Sequence, residues 1–259
     1  MRKIYISVVS HGHGNLINEI DCLRFLNEIA TVVVKNNIED NSLTNYCRVN
    51  SIDLIDHEYN LGFGENNNVN YLYCRTIGMS DNDLFLVLNP DVKIDTEELL
   101  NFINIVASEK LCLSTINLFL DDKSKEFDQS IRKFPSLINF ISSFLGFGNA
   151  SVIDKSKLNK ITTVDWAAGS FLCFRAGWYH SLRGFDEGYF MYCEDIDICY
   201  RSLTLGVALN YIPSVTAVHL ARHSNRRIFS KHFYWHLKSA LRFLKVKYLS
   251  KGINVKSRI

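Results

Sequence analysis

The chain has 259 residues, 47% hydrophobic and 22% charged, which suits one sizeable buried core and excludes a disordered or low-complexity protein. Seven scattered cysteines (Cys22, Cys47, Cys74, Cys112, Cys173, Cys193 and Cys199) contain no CxxC pair, which argues against a disulfide framework or structural zinc and for reduced thiols in the cytoplasm. The net charge of +2 hides a split: residues 198–259 hold 12 Lys and Arg and no acid, leaving 17 bases against 27 acids in the first 197, so a basic tail follows an acidic body and points to an anionic partner.

Ile4–Ser10 reads as a short buried strand ending at His11-Gly12, too brief for a signal-peptide core. Leu16, Ile20, Leu23 and Leu26 give helical spacing over Leu16–Ile29, and Thr31–Val34 is a second strand stopped by Asn36-Asn37. Ile52–Ile55 is a weaker strand, Asn66–Cys74 opens a helix, and Leu84–Leu88 is an apolar strand stopped by Asn89-Pro90. Thr96–Val106 reads as a helix with Thr96 as its N-cap. Further on, Trp166–Arg175 is an apolar run around Gly169-Ser170, Glu194–Leu205 a helix with acids in its first turn, and Val215–His219 a short strand. A basic helix runs from near Ile228 to Leu249. No stretch reaches the ~20 apolar residues of a membrane span, so any membrane contact is expected to be peripheral.

The alternation of strands and helices predicts an α/β fold with a mostly parallel sheet and helices on both faces. Ligands of such sheets bind beyond the carboxyl ends of the strands, which makes His11, Asn36, Asn37, Asn89 and Asp91 candidates. Asn89 and Asp91 place two oxygens beside a rigid proline, suitable for a hard cation and equally for an Asx-type turn. Asn60-Leu61-Gly62-Phe63-Gly64-Glu65-Asn66-Asn67-Asn68 combines close backbone approach with amide groups that could meet a phosphate, a ribose or a sugar, or is a plain turn before a helix; it matches neither phosphate-loop nor dinucleotide spacing. Between Gly184 and Asp197 five acids alternate with aromatics; they either complement a helix dipole or include a catalytic base tuned by its surroundings. His219 follows a short strand and could point into the site or be structural, while His223, His232 and His236 read as surface or interface residues.

Taken in order, Leu88-Asn89-Pro90-Asp91-Val92, Val164-Asp165-Trp166-Ala167-Ala168-Gly169-Ser170 and Tyr189-Phe190-Met191-Tyr192-Cys193-Glu194-Asp195-Ile196-Asp197 resemble the family 2 glycosyltransferases of GT-A fold, over about residues 3–245. The chain is particularly similar to bacterial O-antigen rhamnosyltransferases. The resemblance implies an inverting enzyme that moves L-rhamnose from dTDP-L-rhamnose to an N-acetylglucosaminyl-diphospho-undecaprenol lipid. It implies Asp195 as general base beside Glu194, and a Mg²⁺ or Mn²⁺ site from Asp91, Asn89 and His219. Donor contacts then fall to Ser10, His11, Asn36, Asn60, Gly62, Phe63, Asn67, Asn89 and Asp91, and acceptor contacts to Trp166, Gly169, Ser170 and Asp186. Asn89 and Asn36 stand where the family usually has aspartates. Another nucleotide sugar, such as a galactofuranosyl or hexosyl donor, or a non-catalytic nucleotide-sugar-binding subunit, are the alternatives.

In the basic helix, Arg227, Lys231, Lys238, Arg242 and Lys245 share an arc of about 60°, and Phe229, Phe233, Leu237, Ala240, Leu241, Leu244 and Tyr248 an apolar arc of about 120°. This divides the chain into a transferase domain at 1–225 and a basic helix and tail at 226–259. The helix either docks on the domain or faces anionic lipid at the inner face of the bacterial inner membrane. No nucleic-acid recognition motif accompanies the charge.

Overall fold

The computed structural model describes residues 2–121, 123, 125–144, 151–220, 231–249 and 255–259. The first half runs β1 (Ile4–Ser10), α1 (Gly14–Ile20), α2 (Cys22–Leu26), β2 (Thr31–Asn36), α3 (Asn41–Val49), β3 (Asp53–Ile55), α4 (Phe63–Thr76), β4 (Leu84–Leu88), β5 (Val92–Lys93), α5 (Thr96–Ser108) and β6 (Leu113–Phe119). The second half runs β7 (Ile131–Arg132), α6 (Leu137–Phe144), β8 (Thr162–Val164), β9 (Trp166–Ala167), β10 (Phe171–Arg175), α7 (Ala176–Ser181), α8 (Glu194–Thr204), β11 (Leu209–His219) and α9 (Lys231–Leu249).

Among the described residues, nine strands form one sheet in the order β3-β2-β1-β4-β10-β6-β11-β5, with β8 beside β11; β7 and β9 form a separate pair. β3, β2, β1 and β4 are parallel, β6 and β11 are parallel, and β10 runs antiparallel between the two groups. The period-two alternation of β1 explains the layering. Ile4, Ile6 and Val8 enter a core closed by α1, α3 and α5, whereas Tyr5 enters the opposite core with α4, α7 and α8. The chain therefore has the expected α/β architecture with helices on both faces, consistent with a GT-A fold.

Some local expectations need correcting. The helix expected over Leu16–Ile29 breaks at Asp21, whose φ of 51° is left-handed, a conformation Asp tolerates better than most residues. Asp95, extended at φ −81° and ψ 153°, is the N-cap of α5, so Thr96 is its first helical residue. The run Trp166–Arg175 is two strands separated by a turn at Gly169-Ser170. β11 begins at Leu209, six residues before the expected start, and its register against β6 shifts between Ile212 and Thr216, where Pro213 lacks a backbone donor.

The described part of the basic helix docks on the body. Ala240 and Phe243 are buried in the core that α4, α7 and α8 share. Arg242 turns inward, forming an ion pair of 2.6 Å with Asp186, and Ser239 Oγ donates to the Met191 carbonyl at 2.8 Å. Residues 255–259 return to the body, where Arg258 meets Glu58 at 3.1 Å and Glu187 at 3.3 Å. The expected apolar arc is therefore divided: Ala240 is buried, but Leu237, Leu241 and Tyr248 face solvent. Arg227, Phe229 and His223 lie outside the described residues. No helix among the described residues is long and apolar enough to cross a membrane.

Candidate active site

Parallel strands deliver their carboxyl ends to one edge of the sheet, and β1, β2 and β4 bring Ser10, Asn36 and Asn89–Asp91 there. β10 starts at the same edge because its antiparallel register sets Phe171 opposite Leu88. The Asn89 N–H donates to the Ser170 carbonyl at 3.0 Å, and the Gly169 N–H, two peptides back, donates to Asp195 Oδ2 at 3.3 Å. The Gly169-Ser170 turn thus bonds at one end to the Asn89 backbone, two residues before Asp91, and at the other to Asp195 in the first turn of α8.

Glu194 and Asp195 open α8, where the helix dipole favours acids. The turn before them is strained: Tyr192 and Cys193 have φ of 72° and 64°, left-handed values in non-glycine residues, at a cost of roughly 1–3 kcal/mol each. The Ser239–Met191 bond, the Phe63 N–H donating to the Phe190 carbonyl at 3.0 Å, and Tyr192 Oη against His232 Nδ1 at 3.0 Å hold it. Gly62 allows that approach, since a Cβ there would lie 2.5 Å from the Phe190 oxygen.

The pair is electrostatically unequal. Burial and then the charge of Asp195 push the Glu194 pKa far up, and Glu194 Oε2 meets no donor among the described residues. Burial also raises Asp195, but N–H groups of Ile196 and Gly169 and the positive charge of Arg132 oppose it. Asp195, which also keeps part of its surface open to solvent, is therefore the member of the pair that ionises more readily. The other acids of this segment are committed elsewhere. Asp197 pairs with buried Arg201 at 2.7 Å, and Asp186 accepts from Arg242, Gly188 and Lys256. Asp186 thus anchors α9, a different task from the acceptor contact expected of it.

Asp91 lies beside His219, with Nε2 to Oδ1 at 3.3 Å, and His219 Nδ1 lies 2.6 Å from Asp128. Burial alone would lower the His219 pKa, but the two carboxylates outweigh it and raise it to about 9. Asp91 is pushed up by burial, yet His219 overcomes this and holds it below the usual carboxylate value. Lys155, buried behind this group, donates to the Leu118 carbonyl and to Ser130 Oγ, and burial lowers its pKa to about 8. Asp91 Oδ1 is buried with no hydrogen-bond donor in good geometry among the described residues. An oxygen left in that state, an amide oxygen two residues away and an imidazole are donor types that would suit a Mg²⁺ or Mn²⁺ ion. Among the described residues, no three His, Cys, Asp or Glu side chains converge as a ready-made metal cage.

On the donor side, Ser10 Oγ accepts from the His13 N–H, and His11 is exposed with Nδ1 3.3 Å from the Asn37 amide. Asn36 is buried and donates to Asp56 Oδ1 at 2.9 Å, while its own Oδ1 has no donor among the described residues. Asn60 sits exposed in a left-handed turn and donates to the Asn37 carbonyl. The Phe63 ring lies against Gly169, joining the start of α4 to the turn between β9 and β10. Asn67 does not face this space: it donates to the Phe63 carbonyl and accepts from Ser7 Oγ at 2.7 Å, fastening α4 to β1. Trp166 is also buried, with Nε1 donating to the Lys133 carbonyl, and Ser170 Oγ is buried without a partner among the described residues.

Sequence reasoning missed Arg132, Asp128 and Lys155 because the segment from Leu113 to Lys157 carries no motif. His13, whose charge couples to Asp91, was missed in the shadow of His11.

No family model matches the chain. It is 41% identical over 244 residues to the rhamnosyltransferase WbbL of Escherichia coli (strain K12), covering 93% of this chain and 92% of that one. An N-acetylglucosaminyl-diphospho-decaprenol L-rhamnosyltransferase of Mycobacterium tuberculosis (strain H37Rv) is 40% identical over 81 residues, 31% of this chain and 26% of that one. Among solved structures, 4-diphosphocytidyl-2C-methyl-D-erythritol synthase superposes with a TM-score of 0.51 at 15% identity, over 94% of this chain and 99% of that one, a likeness of fold alone. The extent of the match to WbbL, with the fold and the paired turns it covers, shows that the chain is an enzyme and belongs to the family 2 glycosyltransferases of GT-A fold, in the group of the rhamnosyltransferases.

Proposed function

We propose that this chain transfers L-rhamnose from dTDP-L-rhamnose, with inversion, to an N-acetylglucosaminyl-diphospho-undecaprenol lipid during O-antigen or other surface-polysaccharide assembly. The observation that supports the mechanism is the Asn89–Ser170 and Gly169–Asp195 hydrogen-bond bridge, which links the segment leading to Asp91 with the start of α8 that carries Asp195. The names of the two relatives support the sugar and the diphospho-lipid class of acceptor.

In this reading Asp195 takes the proton of the acceptor hydroxyl, a contribution of ~10²–10⁴ in rate. Its raised pKa makes it a stronger base than a solvated aspartate, and the Gly169 and Ile196 N–H groups aim it. Attack opposite the leaving group converts a β-linked donor into an α-linked product. Asp91, Asn89 and His219 would hold a Mg²⁺ or Mn²⁺ ion, which supplies Lewis-acid neutralisation of the departing diphosphate. The proton on His219 must leave before its nitrogen can ligate. The unpartnered Oδ1 of Asn36 suits the imide N–H of a pyrimidine base.

We place the enzyme at the cytoplasmic membrane face through α9. Tyr234, Leu237, Leu241 and Tyr248 form an exposed apolar stripe, and Lys231, Lys238 and Lys245 recur every seven residues along its flank. Leu137 and Ile138 of α6, which packs beside α9 through Phe140 against Phe243, extend the apolar surface.

A panel of dTDP-L-rhamnose and UDP-linked hexoses and galactofuranose, offered with a synthetic N-acetylglucosaminyl-diphospho-lipid and read by mass spectrometry, tests the assignment. A gain of one deoxyhexose from dTDP-L-rhamnose alone is expected. A hexose gain moves the enzyme to another donor, and donor binding without transfer to any acceptor supports the non-catalytic alternative.

A further inference from the structure

Between the strained turn and α9 lies a groove of about 240 Å³ lined by Gly188, Phe190, Tyr234, Trp235, Lys238 and Ser239. It is smaller than the ~300–1,000 Å³ of a complete small-molecule site, so it takes one ring rather than a nucleotide sugar. Its wall is aromatic and accessible. Phe190 is 40% exposed and Tyr234 64% exposed, large apolar surfaces left in water, and Phe190 packs on Trp235 with ring centroids 4.8 Å apart. Lys238, exposed at the rim, supplies a cation on a stretch with no acid after Asp197.

The groove is coupled to the chemistry by the backbone that floors it. Phe190 and Met191 begin the turn that ends at Glu194 and Asp195. Ser239 ties Met191 to α9, and the Phe63 N–H ties Phe190 to the donor-side loop. A ring resting on Phe190 and Trp235 therefore meets the same turn that presents the general base.

We infer that this groove is the acceptor subsite: the Phe190–Trp235 pair stacks on the apolar face of the acceptor's sugar ring, and Lys238 pairs with the phosphate attached to that sugar. The inference rests on the transfer to a sugar-diphospho-lipid proposed above and names the residues that would select it. Flat aromatic rings match the C–H face of a pyranose while leaving its hydroxyls at the edge, and an ammonium on a flexible stem suits a phosphate as a point charge.

The test uses the full chain with a short-chain, water-soluble N-acetylglucosaminyl diphosphate and, in parallel, an uncharged alkyl N-acetylglucosaminide. Trp235→Ala should raise the acceptor KM at least tenfold while the donor KM and the kcat at saturating acceptor stay within threefold, and Trp235→Phe should recover most of the loss. Lys238→Ala should raise KM for the diphosphate acceptor only. Partition of Trp235→Ala onto phosphatidylglycerol vesicles should match wild type, which separates acceptor binding from lipid-surface binding. Unchanged acceptor KM in both alanine variants of an active enzyme overturns the subsite and leaves the proposed function standing. If wild type transfers no sugar, calorimetric titration of the same diphosphate decides the matter: binding lost in Trp235→Ala upholds the groove, and binding unaffected by it, or none to wild type, refutes it.

Discussion

Glu194 and Asp195 are neighbours at one helix start, yet their isosteric substitutions should differ sharply. Burial and the charge of Asp195 push the Glu194 pKa well above its ordinary value, whereas backbone N–H groups and Arg132 oppose the rise at Asp195, so Asp195 is the member of the pair that gives up its proton more readily. Asp195→Asn removes the proton acceptor and should lower kcat by ~10²–10⁴, about 3–5 kcal/mol of transition-state stabilisation. Glu194→Gln replaces one neutral group by another and should change kcat by less than about tenfold, because no charge is lost. Donor KM should hardly move in either case. Initial rates of dTDP release at saturating acceptor measure both. The pH profile adds a sign. Burial raises Asp195 above its ordinary 3.8, so kcat/KM should fall on an acid limb that lies above that pH. Arg132→Met removes an opposing charge and should move that limb further up. Retention of more than a tenth of the rate by Asp195→Asn, or an equal loss in Glu194→Gln, would refute the division of labour.

Two further outcomes follow from charges placed elsewhere. Arg201→Met strands the Asp197 carboxylate, 1% exposed, and strips the Leu182 and Gly184 carbonyls of their donors; urea denaturation should show a loss of ~3–5 kcal/mol, and the double variant Asp197→Asn with Arg201→Met should lose clearly less than the two singles added together. Leu241→Asp, on the outer stripe of α9, should leave the urea midpoint unchanged and cut partition onto phosphatidylglycerol vesicles roughly tenfold.

The strand framework was readable because its signal is local. β1 and β4 are continuous apolar runs with polar stops, and both match their expected bounds residue for residue. The helix over Leu16–Ile29 misled because apolar spacing continues across Asp21, while the break is made by one left-handed residue that periodicity does not register. The stretch from Leu113 to Lys157 was opaque for another reason. Its contributions are single residues whose partners are remote in sequence: Asp128 meets His219 from 91 positions away, and Lys155 meets Leu118 from 37. Nothing in the spacing of such residues marks them in advance.

The acidic segment shows most directly how folding turns a composition into a site. In sequence, Asp186, Glu187, Glu194, Asp195 and Asp197 are five similar carboxylates. Only Asp197 advertises its partner, Arg201 at the i,i+4 position of the same helix. Asp186 finds Arg242 across 56 residues and Glu187 finds Arg258 across 71, both pairs depending on the return of the basic C-terminal stretch to the body. The basic C-terminal stretch therefore has a task within the fold, since it pairs with two of the five acids. Glu194 and Asp195 stay side by side in the strained turn, Glu194 raised by burial and by the charge of Asp195, and Asp195 eased by the Ile196 and Gly169 N–H groups and the charge of Arg132. Which of five similar carboxylates is free to act as the proposed base is thus decided by the partners that tertiary structure brings to each, not by the motif.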